Sequence, residues 1–135
     1  MTTANTVYTG ELRTSSTHVK SGNELITDAP TDNHGKGETF SPTDLVATAL
    51  GACMLTVMGI WARRESIDLK DTKVETTKVM ASNPRRVAEV HIDFQFPESL
   101  QMSDEQWAKM KDVALSCPVA KSLHSDLKQV VNFNQ

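Results

Sequence analysis

Apolar and polar positions alternate most cleanly in the latter part of Val87 to Phe96, where Val90, Ile92, Phe94 and Phe96 recur at every second residue. That period marks a half-buried strand. Lys73 to Met80 is also strand-like, and Ala81-Ser82-Asn83-Pro84-Arg85 between the two has the residues of a hairpin connection. Near the N-terminus three short runs, Thr6 to Arg13, Thr17 to Lys20 and Glu24 to Asp28, predict a strand meander, with Ser21-Gly22-Asn23 as a turn. The stretch from Asp28 to Thr39 is a loop rich in Pro, Asp, Asn and Gly. The pattern changes at Ser41. This residue is a good N-cap, Pro42 suits the first helical position, and Asp44 sits favourably in the first turn. An uncharged stretch from Leu45 to Ala62 follows, and the helix runs to about Ser66, with Arg63 and Arg64 complementing the dipole at its end. Such a helix is about 37 Å long at about 1.5 Å per residue. It therefore crosses the whole body of a domain whose radius of gyration is about 14 Å.

On a helical wheel Val46, Leu50, Met54, Val57, Met58, Ile60 and Trp61 form a broad face of large residues. Thr48, Ala49, Gly51, Ala52, Thr56, Gly59 and Ala62 cluster opposite, interrupted by Leu45 and Leu55. A helix apolar all round is buried on all sides. The large face suits a sheet, and the small face suits the close approach of another helix. A chain of 135 residues has few helices to spare, so the pattern points to a partner subunit. Beyond Pro97, Ser103 and Gln106 form a capping box for a helix to Ser116. Pro118 opens a short helix to about Leu127, and Val130 to Phe133 is a last strand. The order of strands, long helix, hairpin, two helices and strand is that of an α+β fold, expected as one domain over residues 1–135.

Composition narrows the function. A formal charge of -3 leaves no basic footprint, so no nucleic-acid partner is expected. The pairs Arg63-Arg64 and Arg85-Arg86 read as solvated helix-end and turn residues. MTTANTVYTG has neither a basic start nor an apolar core, so no secretory signal is expected and the protein is placed in the cytoplasm. The Leu45–Ala62 stretch has the length of a membrane span. Its threonines, glycines and alanines dilute it, and a lone span leaves the flanking strands unexplained, so no membrane is expected. There is no CxxC, HxxxH or HExxH, and the Gly35/Gly37 loop lacks the spacing and lysine of a phosphate cradle. Neither a metal nor another cofactor is therefore expected.

The chemistry left is that of the two cysteines, Cys53 and Cys117. In a reducing cytosol both exist as thiols, and a disulfide between them is transient. Cys53 lies mid-helix at the edge of the large face, where desolvation disfavours a thiolate and a small core residue is the plainer reading. No Lys or Arg lies within two turns, so any cation must come from a distant segment. Cys117 precedes Pro118 and so occupies an N-cap, where backbone N–H groups and the dipole favour a thiolate. A cysteine that merely precedes a helix is the equal alternative. His124 lies two turns up the same predicted helix and reads as a surface or core histidine.

The segment FSPTDLVATALGACMLTVM, the PRR of Pro84 to Arg86 and CPVAKSLHSDL from Cys117 resemble the OsmC/Ohr family of thiol-dependent peroxidases. Leu12-Arg13 and the TDAP of Thr27 to Pro30 extend the likeness over nearly the whole chain, which looks closest to the OsmC-like branch. The resemblance implies an intertwined homodimer, with long central helices packed between antiparallel sheets. It implies that Cys53 attacks an organic hydroperoxide (hydrogen peroxide being a second substrate) and becomes a sulfenic acid. Cys117 then condenses with that acid to a Cys53–Cys117 disulfide, and a dithiol reductant resets the pair. It implies oxidative and osmotic stress defence without metal, haem or flavin. The family stabilises its thiolate with an arginine of an N-terminal strand, often across the subunit interface, and Arg13 is the counterpart. The family glutamate that orients the arginine follows the helix-opening proline. Here that position is Thr43, so Asp44 or Glu38 is the candidate replacement. Loss of that glutamate keeps a second reading open, a dimeric small-ligand-binding or redox-sensing protein on the same scaffold.

Overall fold

The computed structural model describes all 135 residues, which form two compact units, Met1–Val46 and Ala47–Gln135.

The first unit is a three-stranded antiparallel sheet of β1 (Ala4–Gly10), β2 (Arg13–His18) and β3 (Glu24–Asp28), in that order. The expected first strand, Thr6 to Arg13, is broken. Gly10, Glu11 and Leu12 all have left-handed φ, at 94°, 58° and 60°, and turn the chain back on itself. Glycine alone among them favours that region, so Glu11 and Leu12 carry no sign of the turn. Arg13 consequently opens β2 instead of closing β1. After β3 the chain makes a short 3-10 turn, Thr31–Asn33, inside a tightly folded loop. The N–H groups of Asn33 and Gly35 donate to the Pro30 carbonyl, and that of Gly37 donates to the Ala29 carbonyl. A Cβ at Gly35 would lie 1.8 Å from the Ala29 carbonyl oxygen, so only glycine fits there. The buried residues of this unit, Thr27, Asp28 and Ser41, are all polar. Its large apolar side chains, among them Val7, Tyr8, Leu12, Leu25 and Phe40, are exposed.

Helix α1 (Pro42–Arg64) begins in the first unit and runs through the second. The second unit adds β4 (Lys73–Ala81), β5 (Arg86–Gln95), α2 (Asp104–Leu115), α3 (Pro118–Ser122) and β6 (Lys128–Asn134). Its sheet has the order β4-β5-β6. β4 and β5 form the expected antiparallel hairpin, whereas β6 lies parallel to β5. The sheet is therefore mixed, because α2 and α3 form the crossover that a parallel return requires. Leu50, Met54 and Met58 of α1 pack with Val90, Ile92 and Phe94 of β5 and Met110 of α2 in one core. Phe94 stacks between Phe133 and Phe96, with ring centroids 4.9 and 5.8 Å away.

The buried face of α1 is Ala47, Leu50, Gly51, Met54, Met58, Trp61 and Ala62. Gly51 and Ala62, expected on the small-residue side, thus turn inward, while Val46 and Ile60 are exposed. The reason is close approach. A Cβ at Gly51 would meet Val74 Cγ1 at 2.9 Å and Thr76 Oγ1 at 3.2 Å. Thr48, Ala49, Ala52 and Thr56 form the exposed remainder, so the helix is buried on one side within this chain, not on all sides. α1 is long and apolar enough to cross a membrane by length and composition, but its Leu50, Met54, Met58 and Trp61 belong to this core.

The capping box of α2 forms as the sequence predicts, with Ser103 accepting from the Gln106 N–H and the Gln106 side chain accepting from the Ser103 N–H. α3 ends at Ser122 rather than Leu127. Leu123 is extended, and a turn follows in which the Leu127 N–H donates to the His124 carbonyl. His124 therefore leaves the helix, and no longer shares a face with Cys117.

Candidate active site

Both cysteines lie in the second unit. Cys53 is half-buried on α1, and Cys117 is fully buried as the N-cap of α3. Cys117 Sγ accepts the Ala120 N–H at 3.3 Å, and Pro118 holds the first helical position. The expected cap geometry is present. Even so, burial pushes the Cys117 thiol above its ordinary value of 9.0, outweighing the Ala120 hydrogen bond, and the neighbouring Cys53 pushes it the same way. Cys117 is thus a buried neutral thiol, and Cys53 packs against the core cluster to which it belongs. A one-turn helix offers little dipole against full desolvation.

The second cluster lies in the first unit. Arg13 and Asp28 are directly opposite in the β2–β3 register. Arg13 Nε donates to Asp28 Oδ1 at 2.7 Å, and Arg13 Nη2 donates to Asp28 Oδ2 at 2.9 Å. This is a two-pronged charge-assisted pair. The Glu38 backbone N–H donates to Asp28 Oδ2 at 3.1 Å, and Arg13 Nη2 reaches Glu38 Oε1 at 3.3 Å. The Asp28 side chain is 1% exposed, that of Arg13 35% and that of Glu38 62%. The Arg13 hydrogen bonds hold the Asp28 carboxyl below its ordinary 3.8, against the opposing effect of burial. The same bonds raise the Arg13 guanidinium further.

Of the two carboxylates considered for orienting Arg13, Glu38 reaches it. Asp44 accepts the Ser41 N–H at 2.9 Å while its own N–H donates to Ser41 Oγ at 3.0 Å, a reciprocal cap at the start of α1. Thr43, at the position of the glutamate, lies with its hydroxyl 3.2 Å from that of Ser41. The carboxylate closest to Arg13 is Asp28, which in the sequence is marked only as a member of the TDAP run. Its signal is the pairing of Arg13 with Asp28 across two strands, which the unrecognised turn at Gly10–Leu12 concealed. No group of three or more His, Cys, Asp or Glu side chains is arranged to hold a metal ion.

A pH dependence follows from Asp28. Its folded value lies below the unfolded one, so its stabilisation is complete above about pH 3.8 and is lost as pH falls through the folded value. Thermal melts followed by circular dichroism should fall in midpoint below that pH. Asp28→Asn should lower the midpoint at neutral pH and flatten the acid limb; an unchanged acid limb would contradict the pairing.

The comparisons with known proteins agree with this architecture. Residues 35–131 match the family model described as OsmC-like protein. No functionally curated protein matches the chain. A solved structure from Psychrobacter arcticus 273-4, provisionally described as an osmotic stress induced and detoxification response protein, is 54% identical. It matches with a TM-score of 0.94, covering 99% of this chain and 96% of that one. The organic hydroperoxide resistance protein OsmC of Legionella pneumophila is 14% identical at a TM-score of 0.75, covering 100% and 98% of the two chains. OhrB, an organic hydroperoxide resistance protein of Bacillus subtilis, is 16% identical at 0.70, covering 98% of each. At these last identities the likeness is one of fold.

Proposed function

The chain belongs to the OsmC-like protein family, and from that premise we propose that it is a cysteine-based peroxidase for organic hydroperoxides. The observation that carries this reading is the pair of thiols: Cys117, fully buried at the start of α3, and a half-buried Cys53 packed against the same core cluster. A thiol held there can meet the oxidised Cys53 sulfur later. In the first step the Cys53 thiolate attacks the outer oxygen of a hydroperoxide. The O–O bond breaks, sulfur becomes a sulfenic acid, and the departing alkoxide takes a proton to leave as alcohol. Cys117 then attacks that sulfur, and an S–S bond forms as water departs with the thiol proton. A small dithiol restores both thiols by exchange and becomes a disulfide itself. Sulfur alone carries the electrons, so the cycle closes without a metal or organic cofactor.

Arg13 supplies the cation that the apolar middle of α1 lacks, with Glu38 as one of its carboxylate partners. Asp44 contributes by fixing the helix start. A homodimer completes the arrangement. The exposed Thr48, Ala49, Ala52 and Thr56 stripe and the apolar surface of the first unit support a second copy as what covers them. A reducing cytoplasm suits a pair of thiols that must be reset after each turnover.

The test is direct. One equivalent of cumene hydroperoxide should convert the free thiols to an intramolecular disulfide, visible as a mass loss of two hydrogens and a shift on non-reducing gels. Dihydrolipoamide should reverse it. Thiols that survive peroxide unchanged would refute the reading, and a sedimentation mass of one chain, 14.9 kDa, would refute the dimer.

A further inference from the structure

A groove of about 500 Å³ lies in the second unit, where α1 gives way to the connection toward β4. That volume is within the range of small-molecule sites, about 300–1,000 Å³. Leu55, Gly59 and Ala62 of α1 and Ile67 and Leu69 of the connection give it an apolar lining. At about 100° per residue, Leu55 and Ala62 lie roughly 200° and 180° round the helix from Cys53, so the groove is on the far side of α1 from that thiol. Arg63 and Lys70 also line it, and neither makes an ion pair. Asp68, the one carboxylate there, accepts the Lys70 backbone N–H at 2.9 Å through Oδ1. The groove therefore carries an excess of positive charge. The last carbonyls of α1, from Trp61 to Arg63, already accept the N–H groups of Glu65, Ser66 and Ile67, which reduces the repulsion an anion meets at a helix C-terminus. Two features have no explanation within the chain. Glycine is the poorest helix former after proline, yet Gly59 stands inside α1, where a Cβ would meet nothing within 4 Å. The Thr72 hydroxyl, on the same lining, is buried without a hydrogen-bond partner.

We propose that this groove binds a small amphipathic carboxylate, an unbranched aliphatic acid of medium length, with its headgroup at Arg63 and Lys70 and its chain along Leu55, Ile67 and Leu69. The room beside Gly59 takes the chain, and the Thr72 hydroxyl is a further donor on the lining. Charge sets the sign of the ligand. Two unpaired cations against one engaged carboxylate favour an anion, and a guanidinium matches a carboxylate with two parallel bonds. The apolar lining sets its length, because each buried methylene adds to affinity while a bare inorganic anion gains nothing from it. Neither thiol lines the groove, so the inference goes beyond the peroxidase reading and is decided apart from it.

The test is isothermal titration calorimetry of the full chain with octanoate, octanol and acetate. Octanoate should bind at one site per chain with a Kd below about 0.1 mM. Octanol, which lacks the charge, should bind at least about 10-fold more weakly, and acetate, which lacks the chain, should give no measurable heat. Replacing both cations, Arg63→Gln with Lys70→Gln, should weaken octanoate about 10-fold or more and leave octanol unchanged. Gly59→Leu places a side chain in the groove and should abolish binding of both. Leucine is the better helix former, so α1 is kept. The charge variants, on exposed side chains, remain the readout if Gly59→Leu does not fold. Cys53→Ser should bind octanoate as the wild type does. A wild-type chain that does not bind octanoate, charge variants that bind it unchanged, or binding that is lost with Cys53 overturns the inference. A Gly59→Leu chain whose sedimentation mass falls would show a second copy of the chain seated in the groove, and overturns it equally.

Discussion

Replacing Cys53 by serine is expected to abolish hydroperoxide turnover, lowering kcat/KM by about 10³-fold or more. A serine hydroxyl has nearly the shape of the thiol but neither its nucleophilicity nor its capacity to form a sulfenic acid. Fold and stability should therefore change little, because Cys53 is half-buried at the margin of the core and does not fill its centre. Cys117→Ser should behave differently. Its Cys53 should still consume one equivalent of peroxide, but the sulfenic acid has no partner, and turnover with a dithiol should stall or proceed to sulfinic acid. The contrast between a variant that never reacts and one that reacts once separates nucleophile from resolving thiol. Peroxide consumption by Cys53→Ser at the wild-type rate would remove the assignment altogether.

Truncating Phe94 to alanine should cost about 3–5 kcal/mol of unfolding free energy, measured by urea titration. Phe94 is fully buried on β5, and its ring lies between Phe133 of β6 and Phe96. Removing it leaves a void between strands β5 and β6 that close in space but lie far apart in sequence. Neither aromatic neighbour can fill that void without breaking its own packing, and Phe96 is also held edge-on against Trp107 at 4.8 Å. A loss under about 1 kcal/mol would mean that the site collapses freely and that this core is not close-packed.

Much of the fold was legible because its signals are local. Pro42 and Pro118 act through their own fixed φ and the Ser103–Gln106 box through hydrogen bonds three residues apart, and all three helices start where they predict. The period-two run of β5 likewise names its buried residues, Val90, Ile92 and Phe94. Misreadings cluster where the deciding contact is distant. The helical wheel puts Gly51 on the face suited to another helix, yet it is β4, through Val74 and Thr76, that lies against it. α3 was extended to Leu127 by composition, whereas the chain turns at His124 to bring Lys128 alongside Glu89.

The candidate site divides in the same way. By itself the sequence determined the identities of the thiols, the N-cap position of Cys117, the candidacy of Arg13 and the likeness to a peroxidase family, because residue type and short-range spacing suffice for these. The tertiary structure alone decided the rest. It set Arg13 opposite Asp28 through a register that depends on a turn of which only Gly10 gives a sign in the sequence. It also decided between the two readings of Cys117, an activated N-cap thiol and a cysteine that merely precedes a helix, since an N-cap is a property of three neighbouring residues while burial is a property of everything packed around them. Desolvation and cross-strand pairing are non-local quantities, and a linear pattern carries no direct record of either.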